Sequence, residues 1–223
     1  MKPTRSQVVS LLLVAAAFAL AAALYARLPE SVPTHWNASG VADGFVPKPW
    51  GPFVLPLVML GMFVALFAMP GISPRGYGLE RFQGVFELLR VVVMEFLFVV
   101  TALVLFAGIG APIPMDRAVY GAAGLVFVVL GNFMGKLTRN FFLGIRTPWT
   151  LASEEVWLRT HRLAGKLFVL AGLALMAIGV MGGGVIAVLV TVAAAAGIPA
   201  VFSYVLYRRL EGITNSAEHG NQP

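Results

Sequence analysis

Cysteine is absent from this 223-residue chain, which excludes disulfides, thiolate metal sites and a cysteine nucleophile. Charge is scarce as well. Asp, Glu, Lys and Arg make up 12% of residues and hydrophobic residues 59%, whereas a soluble domain carries about 25% charged residues. One soluble core cannot hide that apolar excess. Histidine occurs at only three positions, too few for an evident ligand cluster, because metal catalysis needs converging His, Asp or Glu groups. No hydrolase elbow, phosphate-cradling loop or dinucleotide fingerprint stands in its required context. The expectation is a non-enzymatic protein with no catalytic residues, no metal and no cofactor.

What the chain has instead is long apolar runs. A hydrocarbon core about 30 Å thick is crossed by roughly 20 apolar residues in a helix. The runs are Val8–Leu24, Phe53–Met69, Val91–Ile109, Val119–Met134, Leu167–Met181 and Val185–Tyr207. They predict an all-α fold: a polytopic transmembrane helix bundle of about six spans. The first run lacks Asp and Glu and exceeds the apolar length of a signal peptide, about 7–15 residues, so it reads as a retained helix. Gly182, Gly183 and Gly184 predict a tight turn between the last two spans.

The net charge of +6 comes from basic residues between apolar spans. That placement points to lipid headgroups and membrane orientation rather than to direct nucleic-acid binding. Lys2, Arg5, Arg75, Arg81, Arg90, Lys136, Arg139, Arg146, Arg159, Arg162, Lys166, Arg208 and Arg209 fall on one side of the predicted bundle; Arg27, Lys48 and Arg117 fall on the other. The positive-inside rule then places both termini in the cytoplasm, loop 28–52 outside and loop 135–165 inside.

The outer loop runs from Leu28 to Lys48. Pro29 and Pro33 favour extended backbone. Asn37 to Gly40 and Asp43-Gly44 are turn signals. His35, Trp36 and Asn37 therefore sit on a folded loop at headgroup level, read either as a structured cap with Trp36 and Trp50 as interfacial anchors, or as a surface recognising an extracellular ligand. In the inner loop, Thr147 precedes Pro148, which disfavours helix there. Ser153 is a plausible N-cap, and Glu154 and Glu155 suit the positive end of a new helix. Glu155 and Arg159 form an i, i+4 pair. Trp157, His161, Ala164 and Phe168 share one helical face that reads as packing, with Arg159, Arg162 and Lys166 beside it, expected to meet lipid phosphates.

These two segments resemble the SdpI family of bacterial membrane proteins. Pro33 to Gly40, with His35, Trp36 and Asn37, then Asp43, Gly44 and Lys48, look like the conserved domain that commonly precedes the SdpI region. Asn140, Gly144, Arg146, Thr147, Pro148, Trp149, Thr150, Leu151, Glu155, Trp157, His161, Arg162 and Gly165 match the SdpI signature. The resemblance, taken with the apolar runs, divides the chain into an N-terminal helix pair with its outer loop (1–70), a third span with flanking loops (71–118), an SdpI-like region (119–210) and a tail (211–223) whose polar composition reads as disordered. It implies a multi-pass protein of the bacterial cytoplasmic membrane. It also implies immunity to, or sensing of, a secreted membrane-active peptide toxin, with signalling to a cytoplasmic DNA-binding repressor.

One acid falls within a predicted span. Glu95 lies five residues beyond Arg90, roughly 7 Å deeper at 1.5 Å per residue. Intramembrane ionisable groups usually face the bundle interior and have a partner. Asn132 falls at similar depth and is the expected neighbour, with Arg139 or Asn140 nearby. The pair reads as a polar clamp between helices or, in an alternative function, as part of the pathway of a small transporter or channel. A membrane-embedded enzyme is the weaker alternative.

Overall fold

The computed structural model describes residues 3–37, 39–74 and 77–219, with side-chain surroundings as far as Glu211. Lys2 and Arg75 of the charge census, and Ala38 of the outer loop, lie outside the described residues.

Among the described residues, six helical segments are long and apolar enough to cross a membrane: Arg5–Arg27, Gly51–Ala68, Glu80–Gly108, Met115–Met134, Glu154–Met181 and Val185–Glu211. They contain α1 (Arg5–Leu24), α2 (Val54–Ala68), α3 (Gln83–Gly108), α4 (Met115–Met134), α6 (Glu154–Met181) and α7 (Val185–His219); a short helix, α5 (Pro148–Ala152), precedes α6. Each apolar run of the sequence lies in one of them to within a residue of its end. The chain is a multi-pass membrane protein whose helices contact the bilayer.

Local chemistry fixes the helix ends. Thr4 and Gln7 form a capping box at the start of α1, and Ser153 accepts from the Val156 N–H at the start of α6. α6 stops at Gly182, whose φ is +72°, and the Gly183 N–H returns to the Ile178 carbonyl at 2.9 Å. That left-handed cap is why the glycine run turns the chain into α7. α7 continues as helix to His219, through nine residues of the tail that composition reads as disordered, since a formed helix adds residues at little cost. Residues 220–223 of that tail lie outside the described residues.

α1 and α2 pack against α3, α6 packs against both α4 and α7, and α3 against α4 joins the two groups. The α4–α6 contact is a glycine seam. A Cβ at Gly124 would meet the Gly172 carbonyl oxygen at 2.6 Å, and one at Gly131 would meet that of Gly165 at 2.7 Å. The reverse approaches, from Gly172 and Gly165, are 2.5 and 2.8 Å. Without a hydrophobic drive between helices in lipid, such backbone proximity supplies the packing.

Between α1 and α2 the outer loop forms a small antiparallel sheet, β1 (Ser31–Trp36) with β2 (Ala42–Pro47). Val32 is fully buried and packs with Leu28, Leu24, Ala21 and Leu105, fixing the hairpin on the ends of α1 and α3. At the opposite end, Trp157, Leu137, Met134, Phe82, Phe86 and Met94 belong to the larger core. The two informative loops thus sit at opposite ends of the bundle, with His35 exposed at one end and His161 buried at the other.

Arg90 corrects the charge census. It is 3% exposed, not at a headgroup surface. It donates to Ser6 Oγ at 3.0 Å and to the Leu66 carbonyl at 3.3 Å. The carbonyls of a final helical turn lack partners within the helix, so Arg90 caps α2 while joining α1 to α3.

Candidate functional site

At the tip of the hairpin, the Asn37 side-chain oxygen accepts from the Ser39 and Val41 N–H groups at 2.9 and 3.1 Å. Gly40 completes the turn at φ +72°. Asp43-Gly44, by contrast, is not a turn. It lies within β2, where an irregular register sets Gly44 opposite His35. A Cβ at Gly44 would fall 2.7 Å from His35 Cβ, so glycine here permits close strand approach. That irregularity brings His35 Nδ1 to 2.5 Å from Asp43 Oδ1, on a pair that remains largely exposed. Lys48 is turned into the base of the hairpin instead, 3.7 Å from Glu30 and over the Tyr25 ring.

Beneath the hairpin is a cavity of about 410 Å³. His35, Trp36 and Asn37 form one wall; Leu55, Val104, Met115, Asp116, Tyr120 and Val185 contribute others. α2, α3, α4 and α7 all reach it. Asp116 lies in the first turn of α4, where the helix dipole favours an anion, and close to the turn at Gly40. Chemically, this is an apolar recess with carboxylate, imidazole and amide groups at its rim. Such a recess suits an amphipathic segment whose apolar side chain enters while its polar backbone or a cation stays outside. Sequence reasoning found the β1 wall and missed Asp116, Tyr120 and Val185. The available signal was an acid in the first turn of a span; only folding brings it to His35.

The inner-loop motif forms a self-bonded scaffold. Asn140 is fully buried; its amide donates to the Thr138 and Leu143 carbonyls and its oxygen accepts from the Phe142 and Leu143 N–H groups. Gly144 has φ +104°, and a Cβ there would collide with His161 Nε2. His161 Nε2 instead accepts from the Ile145 N–H at 3.1 Å, and Nδ1 lies 2.8 Å from the Trp157 carbonyl. An acceptor Nε2 and a donor Nδ1 define one neutral tautomer. Trp157 stacks on His161 and donates to the Leu137 carbonyl at 2.7 Å. The face holding Trp157, His161, Ala164 and Phe168 is therefore packing, as its spacing predicts.

Thr147 is extended and caps α5, which begins at Pro148. Its hydroxyl lies 2.9 Å from Ser203 Oγ, while Trp149 packs on Tyr204 at a ring separation of 4.9 Å. These two contacts tie the loop to α7. Arg146 donates to the Phe141 carbonyl, and Arg139 donates to the Leu151 carbonyl and lies over Tyr77. Glu155 and Arg159 pair at 2.6 Å on the exposed face. Gly165 is part of the α4–α6 seam, and Arg162 stands beside it, exposed.

The expected clamp between Glu95 and Asn132 does not form. Asn132 donates to the Val128 carbonyl of its own helix. Glu95 is exposed and, among the described residues, makes no hydrogen bond or ion pair. Neither Arg139 nor Asn140 turns toward it. The reason is rotation: α3 buries Arg90, Met94 and Thr101, and five residues beyond Arg90 is about 140° around a helix of 3.6 residues per turn. Equal depth does not give equal direction.

Residues 136–203 match the SdpI/YfhL protein family, and residues 12–60 match a domain of unknown function (DUF1648). Over 210 residues, the chain is 26% identical to the immunity protein SdpI of Bacillus subtilis strain 168, covering 93% of this chain and 99% of that relative. Residues 136–203 of this membrane protein are thus an SdpI/YfhL-type region. The SdpI/YfhL match takes in the inner scaffold, α6 and the part of α7 that reaches Ser203. The second match takes in most of α1, the hairpin and the start of α2. No solved structure matches the chain.

Proposed function

We propose that this SdpI-like protein gives immunity to, or senses, a secreted membrane-active peptide, as a non-enzymatic binding protein of the bacterial cytoplasmic membrane with both termini inside. The observation that carries this reading is the cavity under the hairpin, where His35, Trp36 and Asn37 meet Asp116 and Tyr120 around an apolar recess. An amphipathic peptide approaching from outside presents the complementary chemistry. The similarity to a protein named for immunity supports the same reading.

Sensing requires that the peptide favour one of two bundle arrangements. α7 provides the connection, because Val185 lines the cavity and Ser203 touches the inner loop. Between them Pro199 interrupts the helix ladder, giving α7 a place to bend. A cytoplasmic DNA-binding repressor would read the inner face. Transport is the less favoured reading, since Glu95 stands on the outer surface of α3, away from the interior where a pathway would need it.

The test is challenge of cells with the peptide toxin, with and without the protein. Survival should depend on the protein. His35→Ala with Asp116→Asn, at unchanged membrane abundance, should reduce it. Full protection by that double variant sinks the assignment of the cavity; no protection by the wild-type chain sinks immunity. Sensing is tested by co-purifying a repressor in the presence and absence of toxin.

A further inference from the structure

Two adjoining grooves open on the membrane-facing side of α6. The first, about 630 Å³, lies between α4 and α6 and is lined by Gly131, Asn132, Gly135, Arg162, Lys166 and Val169, among others. The second, about 220 Å³, lies between α6 and α7 and is almost wholly apolar, with Ala171 and Ala174 facing Ala194 and Ala195. Leu170, 62% exposed, borders both.

Arg162 and Lys166 are four residues apart and so share a face of α6. Both are exposed, and among the described residues neither makes an ion pair or hydrogen bond. Arg159, three residues before Arg162, is already paired with Glu155. The groove therefore has two uncompensated cations at its polar end, an amide at Asn132 and no acid in its lining. Deeper along α6, small side chains leave room on either side of Leu170. Basic residues above paired apolar channels match the chemistry of a two-chain anionic lipid: the cations attract the phosphate and the channels take the hydrocarbon.

We propose that this face of α6 is a binding site for an anionic phospholipid, its phosphate held by Arg162 and Lys166 and its acyl chains passing on either side of Leu170. Small glycines at 131, 135 and 165 let the headgroup approach the α4–α6 seam, so the lipid would brace the joint between the two helices.

The test uses the full-length protein purified in neutral detergent, with native mass spectrometry and thermal melting after addition of phosphatidylglycerol or phosphatidylcholine. Phosphatidylglycerol should be retained and raise the melting temperature; phosphatidylcholine should do neither. Arg162→Gln with Lys166→Gln should weaken phosphatidylglycerol retention roughly tenfold or more, while Arg162→Lys with Lys166→Arg should restore it. Glycerol 1-phosphate should not displace the lipid, because it lacks the chains. Equal retention of both lipids by the wild-type chain overturns the proposal without reference to any variant. So does undiminished phosphatidylglycerol retention in the glutamine variant, or complete displacement by glycerol 1-phosphate.

Discussion

The hydroxyl of Thr147 lies 2.9 Å from that of Ser203, joining the inner loop to α7 across 56 positions of sequence. Ser203 also donates to the Ala200 carbonyl at 2.6 Å, just beyond Pro199, so the contact pins the loop to the interrupted part of the helix. Ser203→Ala should lower stability by about 0.5–1.5 kcal/mol. It should also speed hydrogen exchange in the segment from Ile145 to Ala152 more than elsewhere. Uniform acceleration across the chain would count against a local tie.

The lack of cysteine makes the orientation directly measurable. Ser39 and Glu154 are exposed and lie at opposite ends of the bundle. In intact cells, Ser39→Cys should react with a membrane-impermeant maleimide, and Glu154→Cys should react only after permeabilisation. The reverse pattern would invert the bundle and move the proposed ligand site to the cytoplasm.

The His35–Asp43 pair is exposed and should contribute less than about 1 kcal/mol to stability. His35→Ala is therefore expected to change toxin protection with little change in melting temperature. A large stability loss with protection intact would make the pair part of the hairpin framework alone.

Gly144 and His161 form the tightest junction of the inner scaffold. Gly144→Ala places a side chain at φ +104° and against His161 Nε2. Backbone strain alone should cost about 1–3 kcal/mol, read as a lower melting temperature in detergent. His161→Leu should destabilise through a different route, leaving the Ile145 N–H without its acceptor, at about 1–3 kcal/mol.

The glycine seam should tolerate little. Gly172→Leu drives a side chain into the Gly124 carbonyl and Val128, at a cost of about 1–3 kcal/mol or more. Gly61→Ala is the control, because a Cβ there meets nothing within 4 Å. Comparable melting temperatures for the two variants would show that α4 and α6 are not held together by this approach.

Composition and run length by themselves determined that the chain is a bundle of six membrane-crossing helices, because a bilayer of fixed thickness selects apolar segments of fixed length. Short-range rules also placed the Ser153 cap, the Gly182 turn and the packing face from Trp157 to Phe168, since each depends on neighbours within a turn or two. Only the tertiary structure decided what long-range approach and rotation control. The same angular step that buries Arg90 points Glu95 outward, so matching depth could not pair Glu95 with Asn132. The Asp43-Gly44 pair reads as a turn by composition, yet strand pairing with His35 holds it in β2. Asp116 and Val185 join His35 at one recess because four helices end there, a convergence set by how the bundle packs and carried by no local signal in the sequence.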